Sequence, residues 1–418
     1  MRTLFGVNPQ VLALALARMS ESVGNSFLIV VLPLFIASDF VSGATFGLTE
    51  VAITGIVLSL FGFVNSPLQP FTGRLSDRTG RRKIYVLFGL VILAGASFAY
   101  TLVTSYWHLI GLRVLQGIAG AFIIPTTVAL VNDLAAEDNR GGNMGTYNTF
   151  RLVGFGVGPV AAGGVVAAGP YSVGSVRLTG FDAAFAFAGL TATLAFLLVV
   201  VLIRDPDIEP ADPDDQTGGI AVFDVTGDKL LDPVFTLGVV SFFMAVGIAL
   251  FATLGEIVNT RLDQGPEMFG LQFAAFIIAQ IFLQAPIGRA TDFYGRKRFI
   301  ALGMALLVPT TLAQGFVLDS WLMFGARFTQ GVAGAMVFAP ALALAGDIAT
   351  EGSSGTTLSV LTMAFGFGVA FGPLLSGFLV SIDFVAPFAF GAILAALGFA
   401  LVVTQVEEVR TPGRSSGE

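Results

Sequence analysis

Apolar runs long enough to cross a bilayer recur along nearly all of this 418-residue chain, broken only by short polar connections. That rhythm constrains the fold more than any other feature. A helix crosses the hydrocarbon core with about 20 apolar residues. Such windows lie at roughly 11–36, 50–70, 84–104, 108–131, 142–167, 183–203, 233–256, 268–287, 299–318, 321–346, 356–380 and 384–405. Charged residues make up only 12% of the chain, about half the share usual in soluble domains. No soluble interior could hide the remainder. In lipid each backbone polar group needs a partner within its own segment, which leaves helices as the spanning element and tolerates the Gly and Pro inside several runs. The predicted fold class is therefore an all-α membrane protein of twelve transmembrane helices, the first serving as its own insertion signal.

Orientation follows from the arginines and lysines. Arg177 and Arg261 fall in connections on one side, Arg18, Arg113, Arg151 and Arg327 fall inside spans, and the others gather on the opposite side or in the tails. The positive-inside rule then puts both termini in the cytoplasm and the protein in the cytoplasmic membrane. The chain also repeats itself. "RVLQGIAGA" from Arg113 returns as "RFTQGVAGA" from Arg327, and "GFGVGP" from Gly154 returns as "GVAFGP" from Gly368. Asn65 and Gln69 are matched by Gln280 and Gln284, and "GRLSDRTGRRK" from Gly73 by "GRATDFYGRKR" from Gly288. Two six-span units in the same orientation predict two pseudo-symmetric bundles, with a binding site between them near the midplane. The expected division is 1–203, a linker at 204–232 rich in Pro, Asp and Gly, a second bundle at 233–405 and a cytoplasmic tail at 406–418.

Charge inside lipid is costly and marks function. Glu21 is the one acidic residue deep within a predicted span, and it shares its helix with Arg18, Ser22 and Asn25. Those spacings draw a single polar stripe. Glu21 is the predicted proton carrier, because a buried carboxylate responds both to desolvation and to a neighbouring arginine. A static Arg18–Glu21 structural pair is the alternative. Arg151 has Phe365 as its counterpart in the second half, so it is read as an anchor for an anionic cargo group or a partner of Glu21. Arg18, Asn25, Gln280, Gln284 and Arg327 complete the candidate substrate contacts, with packing as the competing role. Gly154, Gly158 and Ala162, like Gly368, Gly372 and Ser376, form small-residue stripes for close helix packing, and Pro159 and Pro373 add kinks.

Several chemistries are excluded. The chain has no Cys and one His, His108, so a Cys/His metal site is not available. It carries no phosphate-binding G-x4-G-K-[ST] loop, so ATP is not the energy source. The basic clusters sit in short connections, which suits lipid headgroups rather than nucleic acid. No cofactor and no enzymatic activity are expected.

The motifs resemble those of the major facilitator superfamily, over nearly the whole chain. Gly73, Leu75, Asp77, Gly80, Arg81 and Arg82 fit that family's signature loop, and Gly288, Asp292, Gly295 and Arg296 fit its second copy, with Ala290 in place of the leucine. Arg113, Gln116 and Gly117 fit its fourth-span motif, and Asp133, Arg140 and Gly141 its next connection. The resemblance implies gating by Gly73, Asp77, Gly80, Arg81, Asp292 and Arg296. Asp77 would latch near Gly355 and Asp292 near Gly141, each against a positive helix terminus. It also makes Arg113 the partner of Glu21 in proton coupling. Gly145, Gly154, Gly158, Pro159 and Gly163 match the pattern of proton-coupled exporters, except that Ala162 replaces a glycine.

The expected function is secondary active transport of a small organic compound by alternating access, in exchange for protons, by a monomer in the lipid bilayer. Two alternatives stand beside it: a symporter importing a small organic anion anchored by Arg151, and a non-transporting membrane sensor of the same fold. Lysine is confined to Lys83, Lys229 and Lys297 while Asp is plentiful in the connections, a balance found in salt-adapted proteins. Sodium is therefore the alternative driver.

Overall fold

A computed structural model describes residues 8–134, 140–174, 176–205, 230–348 and 354–408. Its helices are α1 (Pro9–Ile36), α2 (Glu50–Thr79), α3 (Arg82–Ala99), α4 (Tyr106–Leu134), α5 (Arg140–Ala167), α6 (Gly180–Leu202), α7 (Pro233–Ala249), α8 (Gly255–Leu262), α9 (Pro266–Tyr294), α10 (Arg296–Ala313), α11 (Ser320–Ile348), α12 (Ser354–Leu379) and α13 (Ala386–Gln405). With the two-turn α8 set aside, they coincide with the twelve expected spans. Eleven of them are long and apolar enough to cross a membrane. The twelfth is α10, whose first turn carries Arg296, Lys297 and Arg298.

Local chemistry sets the helix boundaries. Asn8 accepts from the Gln10 amide, and Pro9 opens α1 where its missing N–H costs nothing. Thr179 and Asp182 close a reciprocal capping box on α6. The Asp232 carboxylate receives the amides of Val234 and Phe235 at the start of α7. Gly80 (φ +64°) ends α2, and Gly295 (φ +98°) ends α9. A side chain at either would strain a backbone that only glycine adopts freely.

The structure differs from expectation in two places. Span 7 is not one helix: α7 stops at Ala249, a 3₁₀ turn covers Leu250–Thr253, and α8 follows. The connection after α5 holds a small antiparallel hairpin of β1 (Tyr171–Val173) and β2 (Val176–Leu178).

Packing repeats between the halves. In the first, α1 lies against α5 and α6, α4 against α2 and α3, and α3 against α6. In the second, α7 lies against α12 and α13, α11 against α9 and α10, and α10 against α13. The halves meet along two seams, α2 with α12 and α5 with α9. Lipid tails are as apolar as leucine, so helices associate mainly through close van der Waals fit. A Cβ on Gly154 would stand 2.3 Å from the Met19 carbonyl oxygen of α1, and one on Gly158 2.6 Å from that of Val23. Gly368 and Gly372 approach the Phe242 and Val246 carbonyls of α7 in the same way, at 2.5 and 2.9 Å. The prolines that follow mark the seams: the Pro159 carbonyl abuts Gly270 of α9, and the Pro373 carbonyl abuts Gly55 of α2.

The two ends of the bundle are built differently. At the end remote from the termini one apolar core runs through both halves, joining Phe27, Leu32, Val57 and Phe185 to Phe251, Val258 and Phe269. At the end that holds Asn8 and Glu408 there are two separate cores among the described residues. One contains Leu14, Leu90, Leu130 and Val199, the other Leu237, Met304, Leu344 and Val402. The close approaches between α2 and α12 that involve a glycine fall at Val51, Ala52, Gly55, Gly62 and Ser66 of α2, within the first 17 of its 30 residues. Among the described residues, the halves share one core at one end and hold separate cores at the other.

Candidate functional site

The charged stripe of α1 faces α5. Arg18 Nη1 donates to Glu21 Oε2 at 2.5 Å, and both side chains are largely buried, at 9% and 5% exposure. One turn before the glycine stripe of α5 stands Arg151, whose Nε donates to Asn148 Oδ1 at 2.9 Å. Tyr147, 3% exposed, lies on the same helix. Arg18 and Arg151 each lie within electrostatic reach of Glu21 and Tyr147, so the four form one cluster on two helices held backbone to backbone by Gly154. Two of its polar atoms, Arg18 Nε and Tyr147 Oη, are fully buried and have no hydrogen-bond partner among the described residues. Asn25, Asn148 and Arg151 are half-buried and form the accessible edge.

Two arginines and one carboxylate leave this cluster with a surplus positive charge. At the position that the repeat pairs with Arg151, the second half carries an aromatic ring, Phe365. Phe365 packs on Phe338 with ring centroids 4.5 Å apart, and Phe371 meets Phe242 at 5.7 Å and Phe63 of α2 at 4.8 Å. Gln280 and Gln284 are half-buried on α9, while Gln69 Nε2 donates to Asn65 Oδ1 at 3.2 Å on α2.

Arg113 is not brought to Glu21. Its Nε and Nη2 donate to the Val57 and Leu58 carbonyls of α2 at 3.2 and 3.3 Å, and its Nη1 to Gln116 Oε1 at 3.0 Å. Gln116 is tied in turn to Tyr100 and Ser97 of the third span. The guanidinium thus joins three helices and has few donors left for a proton carrier. Arg327 is likewise sealed, at 1% exposure. Its Nη1 donates to Gln330 Oε1 at 2.5 Å and to the Ile248 carbonyl at 3.3 Å, and its guanidinium lies over Phe251 at 4.5 Å. Gln330 Nε2 reaches the Gly247 carbonyl at 3.4 Å. The pair therefore satisfies carbonyls where α7 changes to the 3₁₀ turn, and neither side chain is open to cargo here.

At the terminus end, the side chains of Asp77, Asp292, Gly141 and the residues around Gly355 lie outside the described residues, and so do the latches expected of them. Gly73 sits near Pro125, Gly80 forms the αL cap of α2, and Arg81 is exposed. What the sequence reading missed is a matched pair of ion pairs: Arg82 with Asp133, and Arg296 with Asp347. Arg82 Nη1 also donates to Ser76 Oγ at 3.2 Å, and Arg296 Nη1 to the Ala343 carbonyl at 2.6 Å. Beside them, Asp205 receives the Lys83 amide and Glu408 those of Arg296 and Lys297, placing a carboxylate at the N-terminus of α3 and of α10. Tyr147 and Asn148 were also missed. The signal was present, since they precede Arg151 by one helical turn on the same face.

The family model described as Major Facilitator Superfamily matches residues 14–264 and 235–418. Among curated proteins, the chain is 26% identical over 362 residues to the multi-drug resistance efflux pump PmrA homolog of Lactococcus lactis subsp. lactis, covering 84% of each. It is 23% identical over 388 residues to the quinolone resistance protein NorA of Staphylococcus aureus, covering 91% of this chain and 93% of the other. It is 25% identical over 397 residues to multidrug resistance protein 2 of Bacillus subtilis, covering 92% of each. Among solved structures, it matches a bacterial homolog to the human lysosomal transporter Spinster, in an inward-facing and occupied conformation, with a TM-score of 0.76 and 15% identity over 94% of this chain and 95% of that one. The human organic anion transporter MFSD10 matches with a TM-score of 0.66 and 19% identity over 94% of this chain and all of that one. Identities this low bear on the fold alone.

Proposed function

From the premise that the chain belongs to the major facilitator superfamily, and is thus a multi-pass membrane transporter rather than an enzyme, we propose that it expels a small organic compound from the cell in exchange for protons. Its termini are cytoplasmic in this reading, on the strength of the lysine and arginine distribution. The joined end of the bundle is then the outer one, and the conformation is inward-facing. Relatives named as multidrug efflux pumps and a quinolone resistance protein support export of organic molecules.

The observation that carries the proposal is the buried Arg18–Glu21 ion pair beside Arg151. A proton on Glu21 breaks the pair and frees Arg18. Proton binding and the arrangement of the cargo site are thereby linked through one guanidinium. Arg18, Asn25, Arg151, Gln280 and Gln284 form the cargo contacts. Arg113 and Arg327 act as struts. The surplus positive charge favours neutral or acidic cargo over dications.

The test is reconstitution in liposomes loaded with a pH-sensitive dye, with a panel of aromatic acids, amides and quinolones offered under an imposed proton gradient. Proton flux opposite to cargo is the expected result. Flux in the same direction would replace antiport by symport. Absence of movement across the panel would leave a membrane protein of this fold that does not transport. The Glu21→Gln variant should fold normally and lose gradient-driven accumulation. If it keeps full accumulation, Glu21 is not the carrier.

A further inference from the structure

Helix α5 divides its circumference among three neighbours and leaves one sector over. Successive residues of an α-helix turn by about 100°. Gly154 and Gly158 meet α1, Pro159 and Gly163 meet α9, and Val157 and Gly164 face outward, the valine exposed and the glycine with nothing within 4 Å of a Cβ. The sector between the α1 and α9 faces, opposite the outward one, belongs to Asn148, Arg151, Phe155 and Ala162. Ala162 is fully buried, whereas Asn148, Arg151 and Phe155 are half-buried. The sector is thus sealed toward the far end of α5 and open where its two polar residues stand.

Those two residues repeat the spacing of Arg18 and Glu21, three positions along a helix, with one change of chemistry. Arg18 Nη1 is held by a carboxylate at 2.5 Å, while Arg151 Nε is held by an amide, Asn148 Oδ1, at 2.9 Å. The carboxylate cancels the charge it orients. The amide orients a guanidinium and leaves its charge intact. Because Nε–H only donates, the amide turns its oxygen to it and its NH2 away. Arg151 Nη1, Arg151 Nη2 and Asn148 Nδ2 then remain as donors, neither sealed nor hydrogen-bonded among the described residues. The second half carries Thr362 and Phe365 at the corresponding positions, so the repeated fold does not itself require the pair.

We propose that Asn148 sets the charge of the cargo: by holding Arg151 through an uncharged oxygen, it reserves that guanidinium for the carboxylate of an organic acid. The Nε edge is occupied, so the carboxylate approaches end-on and accepts from Nη1 and Nη2, the two-bond geometry for which guanidinium and carboxylate are matched. Arg18 does not compete for the anion while Glu21 holds it. An ammonium group meets only donors and a like charge at the same place. Asn148 is a positioning residue, acting through Arg151. This assignment rests on the reading of the chain as a transporter of organic compounds and names the class of cargo it takes.

Three probes of one shape read the preference: naphthoate, naphthamide and naphthylmethylammonium, each titrated calorimetrically into the purified full chain in detergent, with no gradient. A charge-assisted hydrogen bond is worth about tenfold or more in binding. The parent should therefore hold naphthoate at least about tenfold more tightly than naphthamide, and naphthylmethylammonium most weakly. Asn148→Asp keeps the shape but turns the contact into an ion pair, and should erase the naphthoate preference. Asn148→Ala removes the anchor and keeps the charge, so naphthoate should stay ahead of naphthamide. Arg151→Gln should bring the two level, and decides alone if Asn148→Asp does not fold. A parent that does not favour naphthoate, an Asn148→Asp or Arg151→Gln variant that keeps the preference, or Asp and Ala variants that behave alike would each overturn the proposal. The expected preferences in a protein that moves no cargo would uphold the assignment and refute transport. Proton-driven transport by a parent indifferent to cargo charge would do the reverse.

Discussion

The most direct test of the packing concerns one hydrogen atom on α5. Replacing Gly154 by alanine adds a methyl group whose carbon would lie 2.3 Å from the Met19 carbonyl oxygen, 3.0 Å from its carbonyl carbon and 3.1 Å from its Cα. Ordinary contact begins near 3.4 Å. All three neighbours are backbone atoms, so no side chain can rotate away, and α1 and α5 must part by about 1 Å. Overpacking of this kind costs about 1–3 kcal/mol. Alanine recovers up to about 1 kcal/mol by its better helix propensity. With an entirely backbone obstacle the upper end applies, for a net loss of about 2 kcal/mol and a fall in thermal midpoint of about 2–4 °C. Gly164, ten residues on, supplies the control, because a Cβ there meets nothing within 4 Å. Gly164→Ala should melt at or slightly above the parent. Thermal unfolding of both variants in detergent, by near-ultraviolet circular dichroism, decides the matter. If Gly154→Ala melts together with Gly164→Ala, α1 and α5 are not in backbone contact, and the cluster built across them has lost its foundation.

Three further expectations concern other parts of the molecule. Gly270→Val places a branched side chain where the Pro159 carbonyl would be 2.2 Å from its Cβ, wedging the α5–α9 seam; because the chain has no cysteine, a single Val258→Cys reporter should be protected from a maleimide in the parent and labelled in the wedged variant. Asp133→Asn and Asp347→Asn each break one of the matched ion pairs at the terminus end; a loss of about 1–3 kcal/mol is expected, between the surface and buried limits and larger at Asp133, whose pair is less exposed, and equal, negligible losses in thermal melts would reduce both to surface decoration. Arg327→Lys keeps a charge but cannot both cap the Ile248 carbonyl and lie flat on Phe251; faster hydrogen exchange confined to 247–262 would check that it supports the broken span.

The spans were readable because lipid permits so few backbone solutions: a run of twenty apolar residues has no other fate there. Their ends were less readable. α2 continues to Thr79 and α9 to Tyr294, past the points where hydropathy falls, because a helix that leaves the bilayer keeps its hydrogen bonds while its side chains turn polar. The break after Ala249 left no mark in the sequence, as neither Pro nor a Gly pair announces it. Within the site, Arg18 and Glu21 could be paired from their spacing, since three residues along a helix make neighbours. The partners of Arg113 could not, because contact between helices depends on rotation and depth, which no local pattern carries. The same limit hid the roles of Pro159 and Pro373. Their carbonyls face glycines of the opposite half, and only the assembled bundle shows which glycine lies across.

Every ionisable member of the central cluster belongs to α1 and α5, two helices locked together within the first six. If the bundles tilt past each other, as the proposed exchange requires, that polar patch travels with the first bundle, and only the Arg18–Glu21 contact within it changes with the proton. Phe365 and Phe371, on α12 of the second half, would shift relative to that patch in such a motion. In the proposed cycle, a difference in how tightly cargo is gripped on the two faces of the membrane would arise from how closely those rings press on it in each tilt. Substituents that touch only the rings should alter release without altering capture.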